Sequence, residues 1–167
     1  MDGSRRRFLA GAAAVGLAGC LGGRSDGDGD DAPDANTLDT YDVAGSPGGS
    51  VPVRPDGEVA LLDFWATWCA PCEPQMAELR MIEERFPDVH LLSITNEGDA
   101  AAIRAFWAEH DGTWPVASDP DLRTNDRFGV TRIPTLLVFD PEGVEVWRHV
   151  GLAAADSIAD ALREAGA

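Results

Sequence analysis

A pair of cysteines placed directly after a buried strand constrains the fold of this chain most. Residues 61–65, Leu-Leu-Asp-Phe-Trp, form an apolar run with one charged residue, which is typical of a strand buried on both faces. Cys69 and Cys72 follow this run. Apolar residues then recur at three- and four-residue spacing, at Met76, Leu79, Ile82 and Phe86. This spacing predicts a helix over residues 70–85. A strand that leads through Cys-x-x-Cys into an amphipathic helix indicates an α/β fold.

Strands and helices are predicted to alternate along the rest of the chain. Further strands are predicted at residues 41–43, 51–53, 90–94, 135–139 and 144–147, and the first two flank a Gly/Pro/Ser loop. Further helices are predicted at residues 99–110, 119–128 and 156–164. This order predicts an α/β sandwich with a central mixed sheet and a short hairpin at its start.

The cysteine spacing is the one that thiol–disulfide exchange needs. We expect Cys69 at the helix N-terminus, where free N–H groups and the helix dipole favour a thiolate and lower a thiol pKa from about 8.5. Cys69 is therefore the predicted nucleophile. Two intervening residues let Cys72 reach back and resolve a mixed disulfide. Two other interpretations stay open: a zinc site, for which only the three unmatched histidines could complete the ligands, and a purely structural disulfide.

Asp63 is a carboxylate in the middle of the apolar strand, six residues before Cys69. Burial there would raise its pKa towards neutrality, so that it could exchange a proton with Cys72. The alternative is a partly exposed aspartate on an edge strand. A further feature is Ile133-Pro134 before the strand at residue 135, where a cis peptide is possible. The residues alone leave cis and trans equally open.

With these features the sequence resembles the thioredoxin superfamily over residues 41–167. The resemblance is carried by Asp-Phe-Trp-Ala-x-Trp-Cys-x-Pro-Cys at residues 63–72 and Val-x-x-Ile-Pro-Thr at residues 130–135. It implies that Pro134 is cis and lies against the cysteines, and that the backbone of Ile133 and Pro134 pairs with extended substrate. It also implies that Trp68 belongs to the docking surface, whereas Trp65 supports the core.

The segment over residues 97–127 and the leading hairpin resemble the membrane-anchored thioredoxin-like reductases, including those that serve cytochrome c maturation. The resemblance implies a thioredoxin-like α/β/α sandwich with a central mixed sheet, an N-terminal hairpin and an inserted βα segment. Gln75 and Ala77 stand where that subfamily has Glu and Pro. We infer that Asp63 takes the role of the buried carboxylate. The remaining tryptophans are interpreted as packing residues and the three histidines as surface groups.

The first forty residues have the pattern of an exported lipoprotein. Residues 4–9, Ser-Arg-Arg-Arg-Phe-Leu, and the small apolar run after them resemble a twin-arginine signal, and Leu-Ala-Gly-Cys at residues 17–20 resembles a lipobox. The sequence predicts a signal peptide over residues 1–19, a lipidated Cys20 with a flexible acidic tether over residues 20–39, and the thioredoxin-like domain over residues 40–167. Each prediction has an alternative: an ordinary signal with a chance arginine pair, a cysteine that stands at residue 20 by chance, and a calcium-binding Asp run in place of the tether.

The chain is strongly acidic, with thirteen arginines, no lysine, nineteen aspartates and a net charge of −16. This composition resembles proteins of extreme halophiles, in which molar salt screens the repulsion, with an acidic surface in an ordinary prokaryote as the alternative. It argues against nucleic-acid binding, since no basic patch exists. The sequence thus predicts a monomeric, lipid-anchored thiol–disulfide oxidoreductase on the extracytoplasmic face of the cell membrane.

We expect that enzyme to reduce disulfides of exported or membrane-associated proteins, without a dissociable cofactor or metal, using electrons from a membrane protein donor. Two alternatives are a thiol peroxidase and a non-enzymatic binding lipoprotein on a thioredoxin scaffold. A thiol peroxidase usually presents a lone peroxidatic cysteine rather than Trp-Cys-x-x-Cys, and the binding lipoprotein would keep its function without either cysteine.

Overall fold

The computed structural model describes residues 36–167. The predicted signal peptide, Cys20 and most of the predicted tether lie outside the described residues. Seven strands are present: β1 (Thr37–Val43), β2 (Ser46–Pro52), β3 (Ala60–Phe64), β4 (His90–Thr95), β5 (Val116–Ser118), β6 (Thr135–Phe139) and β7 (Glu145–Val150). Four helices connect them: α1 (Cys72–Arg85), α2 (Ala100–Glu109), α3 (Arg123–Phe128) and α4 (Ala155–Ala165).

All seven strands form one mixed sheet in the order β2-β1-β5-β4-β3-β6-β7. Strands β3, β4 and β5 are parallel, and the other pairs are antiparallel. The two parallel crossovers, through α1 and α2, step across the sheet in the same direction. Both helices therefore pack on the same face. β3 and β4 lie at the centre of the sheet. The segment with the two cysteines directly follows β3 and therefore starts from a deeply buried strand.

The sheet separates two apolar layers, because alternate residues of each strand point to opposite faces. Leu61 and Trp65 belong to the layer under α1, α2 and α4, whereas Leu62 and Phe64 belong to the layer on the other face, where Phe128 of α3 packs. The predicted α/β/α sandwich with a central mixed sheet is confirmed. No helix within residues 36–167 combines the length and the apolar character needed to cross a membrane.

The N-terminal hairpin is longer than predicted. β1 begins at Thr37, three residues before the predicted domain boundary at residue 40, and the segment interpreted as a Gly/Pro/Ser loop forms most of β2. The turn is reduced to Ala44 and Gly45. Gly45 has a φ of 71°, and a Cβ atom at this position would overlap the carbonyl group of Thr113. Only glycine combines that backbone angle with so close an approach.

Candidate active site

Cys69 and Cys72 are joined by a disulfide at the start of α1. Cys72 is the first residue of the helix, and Cys69 lies in the preceding turn, where the N–H of Cys72 donates to the carbonyl of Cys69 at 2.9 Å. Cys69 was predicted to lie at the helix N-terminus, and it is three residues before the first helical residue. Both cysteines are almost fully buried and pack in the apolar layer under α1.

The two prolines around the cysteine pair fit this start of the helix. Pro71 precedes the first helical residue, and Pro74 is the third residue of α1. The first four N–H groups of a helix have no partner within the helix, so a proline at either position removes no helical hydrogen bond. Pro74 therefore needs no distortion of the first turn.

Asp63 is a buried carboxyl group on the central strand β3, and the edge-strand alternative is excluded. The residue pairs with Ser93 on β4 and with Leu136 on β6, and it is 1% exposed. Its side chain shares the face of Leu61 and Trp65, which pack with the two cysteines. Burial raises the pKa of Asp63 to about 7, and a hydrogen bond from Ser93 partly opposes this rise. The carboxyl group can therefore take up or release a proton near neutral pH.

Ser93 and Trp114 connect to Asp63 by hydrogen bonds. The hydroxyl of Ser93 donates to Oδ2 of Asp63 at 2.8 Å, and Nε1 of Trp114 donates to the same hydroxyl at 2.8 Å. Oδ1 of Asp63 has no hydrogen-bond partner within the described residues. Trp114 was predicted to be a packing residue, but its indole also belongs to the polar network of the site.

An open groove of about 300 Å³ lies beside the cysteine turn. Trp68, which is 72% exposed, and Ile133 both line it, and the Ile133-Pro134 peptide is cis. Neither the N–H nor the C=O of Ile133 is hydrogen-bonded within residues 36–167, whereas the carbonyl of Pro134 accepts from the N–H of Gly151. One wall of the groove thus offers free backbone groups, and another offers an exposed indole.

Glu97 holds the loop that carries the cysteines. Its carboxylate accepts hydrogen bonds from the N–H of Thr67 at 2.6 Å and from the hydroxyl of Thr67 at 2.7 Å. The hydroxyl of Tyr41 donates to the backbone carbonyl of Glu97 at 3.3 Å. Glu97 therefore connects β1, the end of β4 and the segment before Trp68 by hydrogen bonds.

Gln75 occupies the buried position on α1 below the cysteine pair. Its Oε1 accepts from the N–H of Ala153 at 2.8 Å, and its Nε2 donates to the carbonyl of Ala153 at 3.2 Å. Both ends of the amide are thus paired with the backbone of one residue, Ala153. Gln75 therefore connects α1 to the segment before α4 and places no second carboxylate in the site.

A family model described as Redoxin matches residues 28–162, which is most of the chain. The chain belongs to the Redoxin family. Within the described part of this redoxin, no group of three or more His, Cys, Asp or Glu side chains could hold a metal ion.

Curated relatives of this redoxin include a thioredoxin-like protein and a thiol-disulfide oxidoreductase. The thioredoxin-like protein YneN of Bacillus subtilis is 32% identical over 99 residues, which cover 57% of this chain and 58% of YneN. The thiol-disulfide oxidoreductase ResA of Oceanobacillus iheyensis is 28% identical over 90 residues, covering 53% of this chain and 47% of ResA. The chain spans about half the length of these curated relatives.

Solved structures have the same fold as this redoxin. MTB DsbF, in its mixed oxidized and reduced forms, has a TM-score of 0.69 and 22% identity, over 79% of this chain and 98% of that chain. The pneumococcal exposed lipoprotein thioredoxin Etrx1 of Streptococcus pneumoniae has a TM-score of 0.63 and 26% identity, over 75% of this chain and 98% of that chain. These likenesses support the thioredoxin-like fold.

The structure brings the sequence-predicted residues of this redoxin to one end of the sheet, except Cys20, which lies outside the described residues. Ser93, Thr67 and Glu97 also belong to the site and were not predicted from the sequence. Ser93 carried a usable signal, because a lone hydroxyl in the apolar run of β4 is the natural partner of a lone carboxyl in the neighbouring strand. Thr67 and Glu97 lie in loops, where polar residues are ordinary, so their pairing carried no such signal.

Proposed function

We propose that the protein is a thiol–disulfide oxidoreductase that exchanges dithiol for disulfide with other proteins through its Cys69–Cys72 pair. The observation that carries the proposal is a Cys-x-x-Cys disulfide with a buried carboxyl group on the same face of the sheet and an exposed indole beside it. Membership of the Redoxin family and the ResA and YneN relatives support the same chemistry.

The reaction proceeds in two exchange steps when the protein acts as a reductant. The thiolate of Cys69 attacks a substrate disulfide, forms a mixed disulfide and releases one substrate thiolate. The thiolate of Cys72 then attacks the sulfur of Cys69, which closes the intramolecular disulfide and releases the second substrate thiolate. The two electrons of the Cys69–Cys72 dithiol thus pass to the substrate, and the oxidised product has the disulfide seen in this structure.

Asp63 serves as the acid–base group of the second step. Cys72 must lose its proton before it attacks, and a carboxylate with a pKa near 7 can accept that proton at neutral pH. When the exchange runs in the reverse direction, Asp63 returns the proton to Cys72. Asp63 and Cys72 are both almost fully buried, so the transfer takes place away from the protein surface.

Trp68, Ile133 and Pro134 position the substrate. The free N–H and C=O of Ile133 can pair with an extended polypeptide as an added strand would, and the exposed face of Trp68 can cover its side chains. The neighbouring Pro134 has no N–H, and its carbonyl is bonded to Gly151, so Ile133 rather than Pro134 offers backbone groups for pairing.

The protein acts at the outer face of the cell membrane, held there by lipidated Cys20 and an acidic tether over residues 20–39. The twin-arginine-like leader and the lipobox-like residues support this location. Etrx1, a structural neighbour, is itself an exposed lipoprotein. Radiolabelled lipid should be incorporated into the wild-type chain and not into Cys20→Ser, and a soluble, unlabelled wild-type product would contradict the anchor.

The preferred direction is reduction, with electrons supplied by a membrane protein. Potentials of Cys-x-x-Cys couples extend from about −270 mV for reductants to about −120 mV for oxidants. We expect a value near or below about −250 mV when the couple is equilibrated with glutathione and dithiothreitol in molar salt. A value near −120 mV would make the protein an oxidant and remove the need for a donor.

The function is tested by disulfide reduction of insulin with single cysteine variants. Cys69→Ser should abolish the reaction, Cys72→Ser should accumulate a mixed disulfide with the substrate, and Cys20→Ser should leave the rate unchanged as the matched control. Accumulation of the mixed disulfide in Cys69→Ser, together with loss of the reaction in Cys72→Ser, would reverse the assigned roles. Turnover of peroxide without any protein disulfide would favour a thiol peroxidase. Unchanged function in the double variant Cys69→Ser/Cys72→Ser would favour a non-enzymatic binding protein.

A further inference from the structure

Leu122 is an exposed apolar residue in the groove beside the cysteine turn. It lines the open groove of about 300 Å³ together with Trp68 and Ile133, and it is 40% exposed. Phe64 and Ile94, near the ends of β3 and β4, line the same groove. The groove thus brings together apolar side chains from the cysteine turn, the central sheet and the segment before α3.

Leu122 has a backbone conformation that leucine disfavours. Its φ of 58° and ψ of 22° lie in the left-handed region, which glycine adopts freely and asparagine tolerates. For other residues this conformation lowers the equilibrium constant for folding roughly 5- to 30-fold. An exposed leucine recovers only part of this loss by burial, so stability does not explain the choice of side chain.

Hydrogen bonds on both sides of Leu122 hold this conformation. Its N–H donates to the carbonyl of Asp119 at 3.0 Å, and its carbonyl accepts from the N–H of Asp126 at 2.9 Å. The carboxylate of Asp119 is fully buried and accepts from the N–H groups of Arg123 and Thr124. None of these bonds involves the side chain of Leu122. A costly side chain that the local structure does not require points to a functional role.

We propose that Leu122 is a specificity-determining residue that selects substrate polypeptides with a large apolar side chain within two residues of the reacting cysteine. Trp68 directly precedes Cys69, and the free backbone groups of Ile133 can hold an extended substrate at the groove. A substrate residue close to the reacting cysteine therefore enters the groove, where its side chain contacts Leu122. This inference rests on the proposed function, because it names the substrate class of that site.

The lining of the groove favours an apolar substrate residue over a charged one. Asp126 and Arg132 also line the groove, and their opposite charges give no preference for an acidic or a basic side chain. Contact of a substrate leucine with Leu122 and Trp68 removes apolar area from water. Because the groove is open, we expect the lower end of the usual gain, which corresponds to a reaction about tenfold faster.

The test is the rate at which the reduced full chain reduces symmetric peptide disulfides. Each peptide has one cysteine and is joined through it to an identical copy, so one turnover oxidises Cys69 and Cys72 and releases two peptide thiols. A reference peptide has serine at the two positions on either side of its cysteine, and four others have leucine at one of these positions. Wild type should reduce the best leucine peptide about tenfold faster than the serine peptide.

Substitutions at residue 122 separate recognition by the side chain from the backbone conformation. Leu122→Asn keeps a residue that tolerates the left-handed region and should abolish the preference for leucine. Leu122→Met keeps an apolar side chain and should retain the preference. Val144→Asn is the matched control and should also retain it, because this exposed apolar residue follows β6 at the end of the sheet away from the cysteines.

A preference that persists in Leu122→Asn would overturn the proposal, as would equal rates of wild type with all the peptides. Urea unfolding gives a second readout, in which Leu122→Asn should be at least as stable as wild type. A clear loss of stability would show that folding requires the leucine and would also contradict the proposal. Failure of wild type to reduce any of the peptides would contradict the proposed function itself, and this inference with it.

Discussion

Asp63 makes the stability of the protein depend on pH in a direction opposite to that of an ordinary surface carboxylate. Its pKa is raised from 3.8 to about 7 on folding, so the folded state binds the proton more tightly than the unfolded chain. This contribution to stability is complete below about pH 4 and is lost as the pH rises to 7. A difference of about three pKa values corresponds to about 4 kcal/mol as an upper bound.

We therefore expect oxidised Asp63→Asn to be more stable than the oxidised wild type at pH 8, by up to about 4 kcal/mol, and to lose this advantage towards pH 4. Urea unfolding at a series of pH values in constant molar salt measures the difference. The disulfide is kept intact so that thiol ionisation does not contribute. A difference that is independent of pH would show that Asp63 does not titrate in this range.

The same residue should shape the pH profile of exchange. Loss of a positioned acid–base group typically slows a reaction about 10²- to 10⁴-fold. We expect Asp63→Asn to slow release of the mixed disulfide while leaving its formation nearly unchanged, and to remove the inflection near pH 7. Stopped-flow kinetics of the two steps separates these effects, and equal slowing of both steps would contradict the role in resolution.

At the scale of elements, Gln75 joins α1 to the segment before α4 across 78 residues of sequence. Gln75→Ala should lower the free energy of unfolding by about 2–4 kcal/mol, because the N–H and C=O of Ala153 lose their partners in a buried place. Denaturant unfolding measures this loss. Glu73→Ala, at an exposed position of the same helix, is the control and should change stability by less than about 1 kcal/mol.

The stability of the Gln75→Glu variant should depend on pH. One carboxylate oxygen can accept from the N–H of Ala153, but the other would face the carbonyl oxygen of Ala153 unless it carries a proton. The folded protein therefore favours the protonated side chain, and its folded pKa lies above the ordinary value. Stability should be near that of the wild type at low pH and fall as the pH rises through the folded pKa. Unfolding at pH 4 and pH 8 tests this, and a uniform loss would contradict it.

Local sequence signals predicted the helices better than the hairpin. Asp99 caps α2 by accepting from two N–H groups, as its position before an apolar pattern suggests. The short helix predicted from Asp119-Pro120 begins instead at Arg123, although Asp119 still accepts from the N–H groups of Arg123 and Thr124. The first part of β2 was predicted as a loop because its glycines and proline favour a loop locally, and pairing with β1 overrides that preference.

At the scale of the whole molecule, acidic charge is the dominant feature. Residues 36–167 carry nine arginines against 23 acidic side chains. Raising salt from 0.1 M to 1 M shortens the Debye length from about 10 Å to about 3 Å and screens their repulsion. We expect the free energy of unfolding to rise by about 1 kcal/mol or more over this range, and Tm by a few degrees.

A variant with three exposed acidic residues changed to amides, Asp121→Asn, Glu142→Gln and Glu164→Gln, provides the control for this salt effect. It should gain less stability from salt than the wild type, since less repulsion is left to screen. Thermal unfolding at both salt concentrations measures the two gains. Equal gains would assign the effect to general exclusion of salt from the protein surface rather than to charge.

The sequence by itself determined the layer architecture and the reactive pair, because strand alternation, helical spacing and a Cys-x-x-Cys turn are properties of neighbouring residues. It also pointed to Asp63, since a single carboxyl group in an apolar strand is costly to bury. Only the tertiary structure decided which groups surround that carboxyl. Ser93 and Trp114 lie 30 and 51 residues further along the chain, and their hydrogen bonds exist because parallel pairing places β4 beside β3. Contacts between distant segments depend on sheet register, which local patterns do not encode.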